Sequence, residues 1–274
     1  MKTFSTFLIV SFLSLMGFKA QAQVIIATLK DKNTSELLQY VNVGVVGKNI
    51  GTVSDEKGVF KINVPVANDN DILKISMVGY DDLSYTVADF RKQIATNSMV
   101  LMQHSNNQLK EVVIKNKKLK EKTLGNKTES QGTTVSFSSN KLGNEIGMMM
   151  KIKKSPTRLK TFTASLASKE NYPVKMRLNF YSVKDGMPNE SLLSENIIVT
   201  APKENTKLEV DLTDYGIVVE DDFFVTLEWI ENAPGGIAFS AALFASPFYA
   251  RDTSQANWEK VGIVGIGFTC KVLY

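Results

Sequence analysis

The sequence predicts an all-β protein built from two sandwiches, and two observations lead there. Apolar and polar residues alternate at period two in both halves of the chain, as in Val174-Lys175-Met176-Arg177-Leu178-Asn179-Phe180, a pattern that buries one face of a strand and exposes the other. Turn-forming clusters recur about every 8 to 12 residues between such segments, and no apolar stripe at helical spacing runs to useful length.

From the N-terminus, Lys2, the apolar run from Phe4 to Phe18 and the small residues of Ala20-Gln21-Ala22 follow the order of a cleavable secretory leader. Residues 1–22 are expected to be a signal peptide, with the mature chain starting at Gln23 and exported to the periplasm or the outer-membrane surface. The run is shorter than the ~20 residues of a spanning helix, so no integral membrane span is expected after cleavage. Cys270 is the single cysteine, which leaves no intrachain disulfide to staple the fold.

Residues 23–114 read as seven short strands in a Greek-key sandwich. Val41, Val43 and Val45 share one face, as do Leu83, Tyr85 and Val87. Gly51-Thr52-Val53-Ser54 and Val59-Phe60-Lys61-Ile62-Asn63-Val64 flank Asp55-Glu56-Lys57-Gly58, the expected hairpin turn. Asp55 bonds the backbone at its start, and Gly58 takes a positive φ without a Cβ clash. Asn68-Asp69-Asn70-Asp71 is a further turn, lacking the spaced acidic ligands and distal Glu of a Ca²⁺ loop. Asp89 to Ala95 is expected to make one helical turn and no more.

Four blocks in this region carry a resemblance: Leu38 to Val45, Gly51 to Pro65, Ser76-Met77-Val78-Gly79-Tyr80 and Leu109-Lys110-Glu111-Val112-Val113-Ile114. Together they resemble the carboxypeptidase-regulatory-like domain. The resemblance implies a transthyretin-like, seven-stranded sandwich with Phe60 and Tyr80 in its core and no catalytic residue of its own. Such modules sit behind zinc carboxypeptidase domains and ahead of TonB-dependent receptors in Gram-negative uptake systems.

Residues 115–129 are expected to be a solvated basic linker, since residues 115–127 hold six basic groups against one acidic and too few apolar ones to bury. Elsewhere charge is nearly balanced. With Lys2 and Lys19 removed from the 32 basic residues, 30 face 28 acidic ones, too small a surplus to imply nucleic acid.

Residues 130–274 are expected to form a second, jelly-roll-like sandwich of about eight to ten strands. Besides Val174 to Tyr181, the strand segments are Thr133–Ser138, Gly147–Ile152, Leu159–Leu166, Ile197–Thr200, Leu208 to Leu212, Phe223 to Ile230, Ile237–Ala245 and Val261–Val272. An alternative is a small outer-membrane barrel, because the C-terminal segment alternates Phe268, Cys270, Val272 and Tyr274 on one face.

Chemistry is sparse. One His and one Cys exclude most metal-centred and thiol–imidazole chemistry, and no metal, cofactor or catalytic residue is expected. His104 lies in a polar loop. Adjacent carboxylates at Glu220-Asp221-Asp222 would point apart and do not make a glycosidase pair. The expected function is that of a non-catalytic interaction or accessory module with an envelope-protein partner. A glycan is the alternative ligand: Trp258 in its polar loop and Tyr249 are the candidate contacts, with Trp229, Phe248 and Tyr172 as further aromatics on which a sugar face can stack. Met148-Met149-Met150 suits either an adaptable partner surface or a doubly buried strand.

Overall fold

The computed structural model describes residues 22–105, 119–169, 173–201, 206–233 and 235–274. The expected leader up to residue 21, the Leu109 to Ile114 block, linker residues 115–118 and Tyr172 lie outside the described residues.

The N-terminal region forms β1 (Ala22–Asp31), β2 (Asn42–Val45), β3 (Gly51–Val53), β4 (Val59–Pro65), β5 (Ile72–Ser76), β6 (Leu83–Thr86), helix α1 (Val87–Thr96) and β7 (Met99–Met102). Two sheets result, ordered β4-β1-β7 and β3-β2-β5-β6. Alternation decides which residues go inside: Ile25, Ala27 and Leu29 of β1 and Phe60, Ile62 and Val64 of β4 share one core with Val43, Val45, Leu73 and Ile75 of the other sheet. Phe60 lies in this core and Tyr80 packs against it partly buried.

One element is longer than the sequence suggested. Helix α1 runs ten residues, not a single turn. Thr86 caps it by accepting from the Asp89 amide, and Phe90 stacks on Phe60. Val87 and Phe90 are its buried residues, a stripe too short to register as helical periodicity.

The C-terminal region forms β8 (Glu121–Gly125), β9 (Thr134–Ser136), β10 (Glu145–Met150), β11 (Thr157–Lys169), β12 (Lys175–Lys184), β13 (Met187–Ser191), β14 (Ile197–Thr200), β15 (Lys207–Asp211), β16 (Val218–Val219), β17 (Phe223–Trp229), β18 (Ile237–Leu243), β19 (Phe248–Arg251), β20 (Glu259–Val261), β21 (Val264–Ile266) and β22 (Phe268–Leu273). One sheet runs β13-β12-β17-β10-β19-β20 with β14 on β12. The other runs β21-β18-β11-β22-β8, with β15 and β16 on β11 and β9 on β18. Strands outnumber the expected eight to ten because the Val261–Val272 segment breaks into three and β11 meets four different partners along its length.

Two expectations are corrected here. Residues 121–125, read as part of a linker, are an edge strand paired with β22 from Glu121↔Leu273 to Gly125↔Thr269. Leu124 alone points inward, and the lysines beside it are what an exposed edge carries against edge-to-edge pairing. The barrel alternative fails because the space between the sheets is a packed apolar core: Phe162, Phe180, Phe223, Trp229, Phe239 and Phe268 fill it, where a small barrel needs polar side chains. Lys207 and Glu209 face solvent instead. Within β10, Met148 and Met150 belong to this core.

Candidate functional site

The most structured polar feature lies on the outer face of the β12-β17-β10-β19 sheet. Register places Arg177 opposite Glu228, Glu228 opposite Glu145 and Glu145 opposite Arg251, so four charges line up across four strands. Alternation alone would send this row to water. Instead Arg177 is 2% exposed and both glutamates 0%, because the N-terminal sandwich and the 252–258 loop cover them.

Each buried charge is compensated. Arg177 donates from Nε and Nη2 to Glu228 Oε2, at 2.9 and 2.7 Å, and Arg251 donates to Glu145 Oε2 at 2.8 Å. Asn179 bridges the two carboxylates, its amide donating to Glu145 Oε1 at 2.9 Å and Glu228 Oε2 at 3.0 Å. The Thr226 and Tyr181 hydroxyls also donate to Glu145 Oε1. Burial, reinforced by the Glu145 charge, raises the Tyr181 phenol well above its ordinary pKa. For Arg251, burial acts to lower the pKa, but Glu145, Tyr181 and Glu228 outweigh it and the net shift is upward.

The same row ties the two sandwiches together. Arg177 Nη1 donates to the Tyr40 carbonyl at 2.7 Å and Nη2 to Asn42 Oδ1 at 2.6 Å. Ser254 donates to Asn42, Gln255 to Ser76 and Asn49 to Asp252. A Cβ on Gly44 or Gly51 would collide with the Ser254 carbonyl, so only glycine lets the 253–255 backbone lie this close to β2 and β3. Tyr40, Val53 and Ile230 add a small apolar cluster across the same junction.

Chemically the row is a charge-neutral joint. A general acid or base must reach a substrate proton, and both carboxylates are fully buried and committed to arginine. Sequence pattern does not pair these charges: Glu145, Arg177, Glu228 and Arg251 are scattered over more than a hundred residues. The one available signal was the polar face of β12, with Lys175, Arg177 and Asn179 at alternate positions.

Two of the aromatic contacts expected from the sequence, Trp258 and Tyr249, fall on this same face. Trp258 lies over the Arg251 guanidinium at 4.8 Å and meets Tyr181 edge-on, capping the row and half-buried. Tyr249, expected at a ligand, is 3% exposed and packs edge-on against Phe224, so as folded it cannot meet a sugar ring. Phe248 also packs against the core. Asp55 and Gly58 occupy the β3–β4 turn: Asp55 accepts from the Lys57 and Val59 amides, and Gly58 has φ +69°. His104 stacks on Tyr80 with Nε2 3.1 Å from Asp31.

A separate cleft of about 390 Å³ opens in the C-terminal sandwich, where Phe137 and Trp229 meet Ser136, Ser168 and Gly236.

Residues 25–114 match the family model of the CarboxypepD_reg-like domain. The N-terminal sandwich is a carboxypeptidase-regulatory-like domain. The matched stretch spans Gly44 and Gly51, which serve contact with the second sandwich. No curated protein matches the chain. Among solved structures, a clostridial cysteine protease, Cwp84, after propeptide cleavage is similar at 8% identity and a TM-score of 0.41, over 92% of this chain and 71% of the protease. A structure of the infectious bursal disease virus Gx strain is similar at 9% identity and a TM-score of 0.26, over 92% of this chain and 62% of that one. Likeness at that level carries no argument about activity.

Proposed function

We propose that this protein is an exported, non-catalytic interaction module of the cell envelope, working beside outer-membrane uptake or surface-assembly machinery. The leader-like N-terminus and the regulatory-like domain support that setting. The observation that carries the interaction role is an apolar tip on the C-terminal sandwich. Leu243 is 56% exposed, Phe244 83%, Ile263 59% and Val261 36%. Leu243 pairs with Val264, and Phe244 and Ile263 are the residues that follow and precede that pair in the chain. A cluster of large apolar side chains held in water marks a surface that a partner covers.

Crosslinking in native envelopes tests this. The wild-type chain should capture an envelope protein that a Phe244→Ser/Ile263→Ser variant loses while still folding. Capture of no envelope protein above background would sink the proposal.

A second reading is saccharide binding through the C-terminal sandwich. Trp258 and Tyr249 no longer support it, since both are engaged within the fold, but the cleft beside Phe137 and Trp229 favours it.

A further inference from the structure

We infer that the cleft beside β9, β11 and β18 binds a neutral saccharide. The inference rests on the saccharide reading above and names its site.

Two features of the cleft point to that ligand class. First, among the described residues no ionisable side chain lines it: its polar groups are serine hydroxyls, among them Ser136 and Ser168, and the Asn140 amide. An anionic or cationic ligand would find no counter-charge, whereas hydroxyls and amides exchange hydrogen bonds in both directions with sugar hydroxyls. Second, it has an apolar wall. Phe137 meets Trp229 edge-on at 5.3 Å and Phe239 at 6.0 Å, a fixed aromatic surface for the C–H face of a pyranose.

The wall is also preorganised. Asn144, fully buried, donates to Ser138 Oγ and the Ser139 carbonyl at 2.7 and 3.0 Å, fixing the segment that carries Phe137 and Asn140. A Cβ on Gly236 would meet nothing within 4 Å, so one side of the cleft stays open. Its size falls near the lower end of small-molecule sites, about 300 to 1,000 Å³.

Calorimetric titration of the purified full chain with neutral tetrasaccharides (β-1,4-glucan, α-1,4-glucan, β-1,4-xylan and α-1,6-mannan) tests the assignment. At least one should bind the wild type, and Gly236→Leu, which fills the open side, should weaken that affinity at least about tenfold. Asn140→Ala, an exposed truncation, should weaken it by about threefold or more and keeps the test decisive if the leucine variant melts early. Full affinity in both variants overturns the site; if Trp258→Ala then abolishes binding, the saccharide reading survives with its site elsewhere. No binding of any tetrasaccharide to the wild type overturns the site and the reading together.

Discussion

Arg177→Met is the sharpest perturbation of the joint between the sandwiches. It keeps most of the alkyl stem and removes the guanidinium, so Glu228 loses bonds of 2.9 and 2.7 Å and keeps only the Asn179 amide at 3.0 Å. The Tyr40 carbonyl and Asn42 lose their donor as well. Because both partners are buried, salt screens the pair little. Removing one side of a buried ion pair costs about 3–5 kcal/mol, mostly for the charge left behind. With a urea m-value of about 3 kcal/mol/M, that moves the unfolding midpoint down by about 1 to 1.7 M. Urea titrations followed by tryptophan fluorescence and far-UV circular dichroism would read the shift. Adding Glu228→Leu should recover most of the loss, since deleting both partners of a buried pair is often neutral or stabilising. A single-variant shift below about 0.3 M, or a double variant no more stable than the single, would refute the reasoning.

The other expectations concern separate parts of the molecule. Gly44→Ala drives a Cβ into the Ser254 carbonyl and should destabilise by about 1–3 kcal/mol, seen as a lower melting temperature, while Gly132→Ala, with nothing within 4 Å, should melt like the wild type. The backbone amide of Thr34, then those of Asn33 and the Tyr80 hydroxyl, hold the Asp31 carboxyl below its usual pKa against the opposing effect of burial. The stability it contributes is therefore complete above the unfolded carboxylate value and is lost as pH falls through the depressed folded one; Asp31→Asn should flatten that acid limb of the stability–pH curve. Cys270 is fully buried and burial pushes its thiol well up, so a thiol reagent at pH 8 should leave the native protein unlabelled and react only after unfolding.

The fold was legible where one buried face met one exposed face. The β4 segment Val59–Pro65 alternates strictly between inside and outside, and the Asp55 to Gly58 turn follows from residue chemistry alone. Legibility failed where a polar face was covered by something distant in sequence. Arg177 and Asn179 looked like the wet side of β12, yet Arg177 joins residues more than a hundred positions upstream and Asn179 bridges two carboxylates from other strands. Local pattern cannot report a contact of that separation. Edge strand β8 failed for the opposite reason, since only Leu124 of its five residues is buried and its charges dominate the reading. Trp258 looked like an aromatic for a ligand because its neighbours are polar, yet those neighbours include the loop that closes over the Arg251 end of the row.

The joint also restricts where a partner can approach. Strands β2 and β3 of the regulatory-like domain are occupied by the 253–255 backbone at Gly44 and Gly51, and the outer face of the β12-β17-β10-β19 sheet is covered around its charged row. A partner that displaced this contact would have to replace the Asn42, Tyr40 and Ser254 bonds and rehydrate a row of four charges before gaining anything of its own. Two exposed apolar surfaces impose no such requirement. One is the Leu243, Phe244, Val261 and Ile263 tip; the other is the outer face of the β4-β1-β7 sheet, where Val24, Ile26, Met99 and Leu101 are all exposed. Either can be covered with both sandwiches left docked, so a partner at either surface would meet the two sandwiches as one unit.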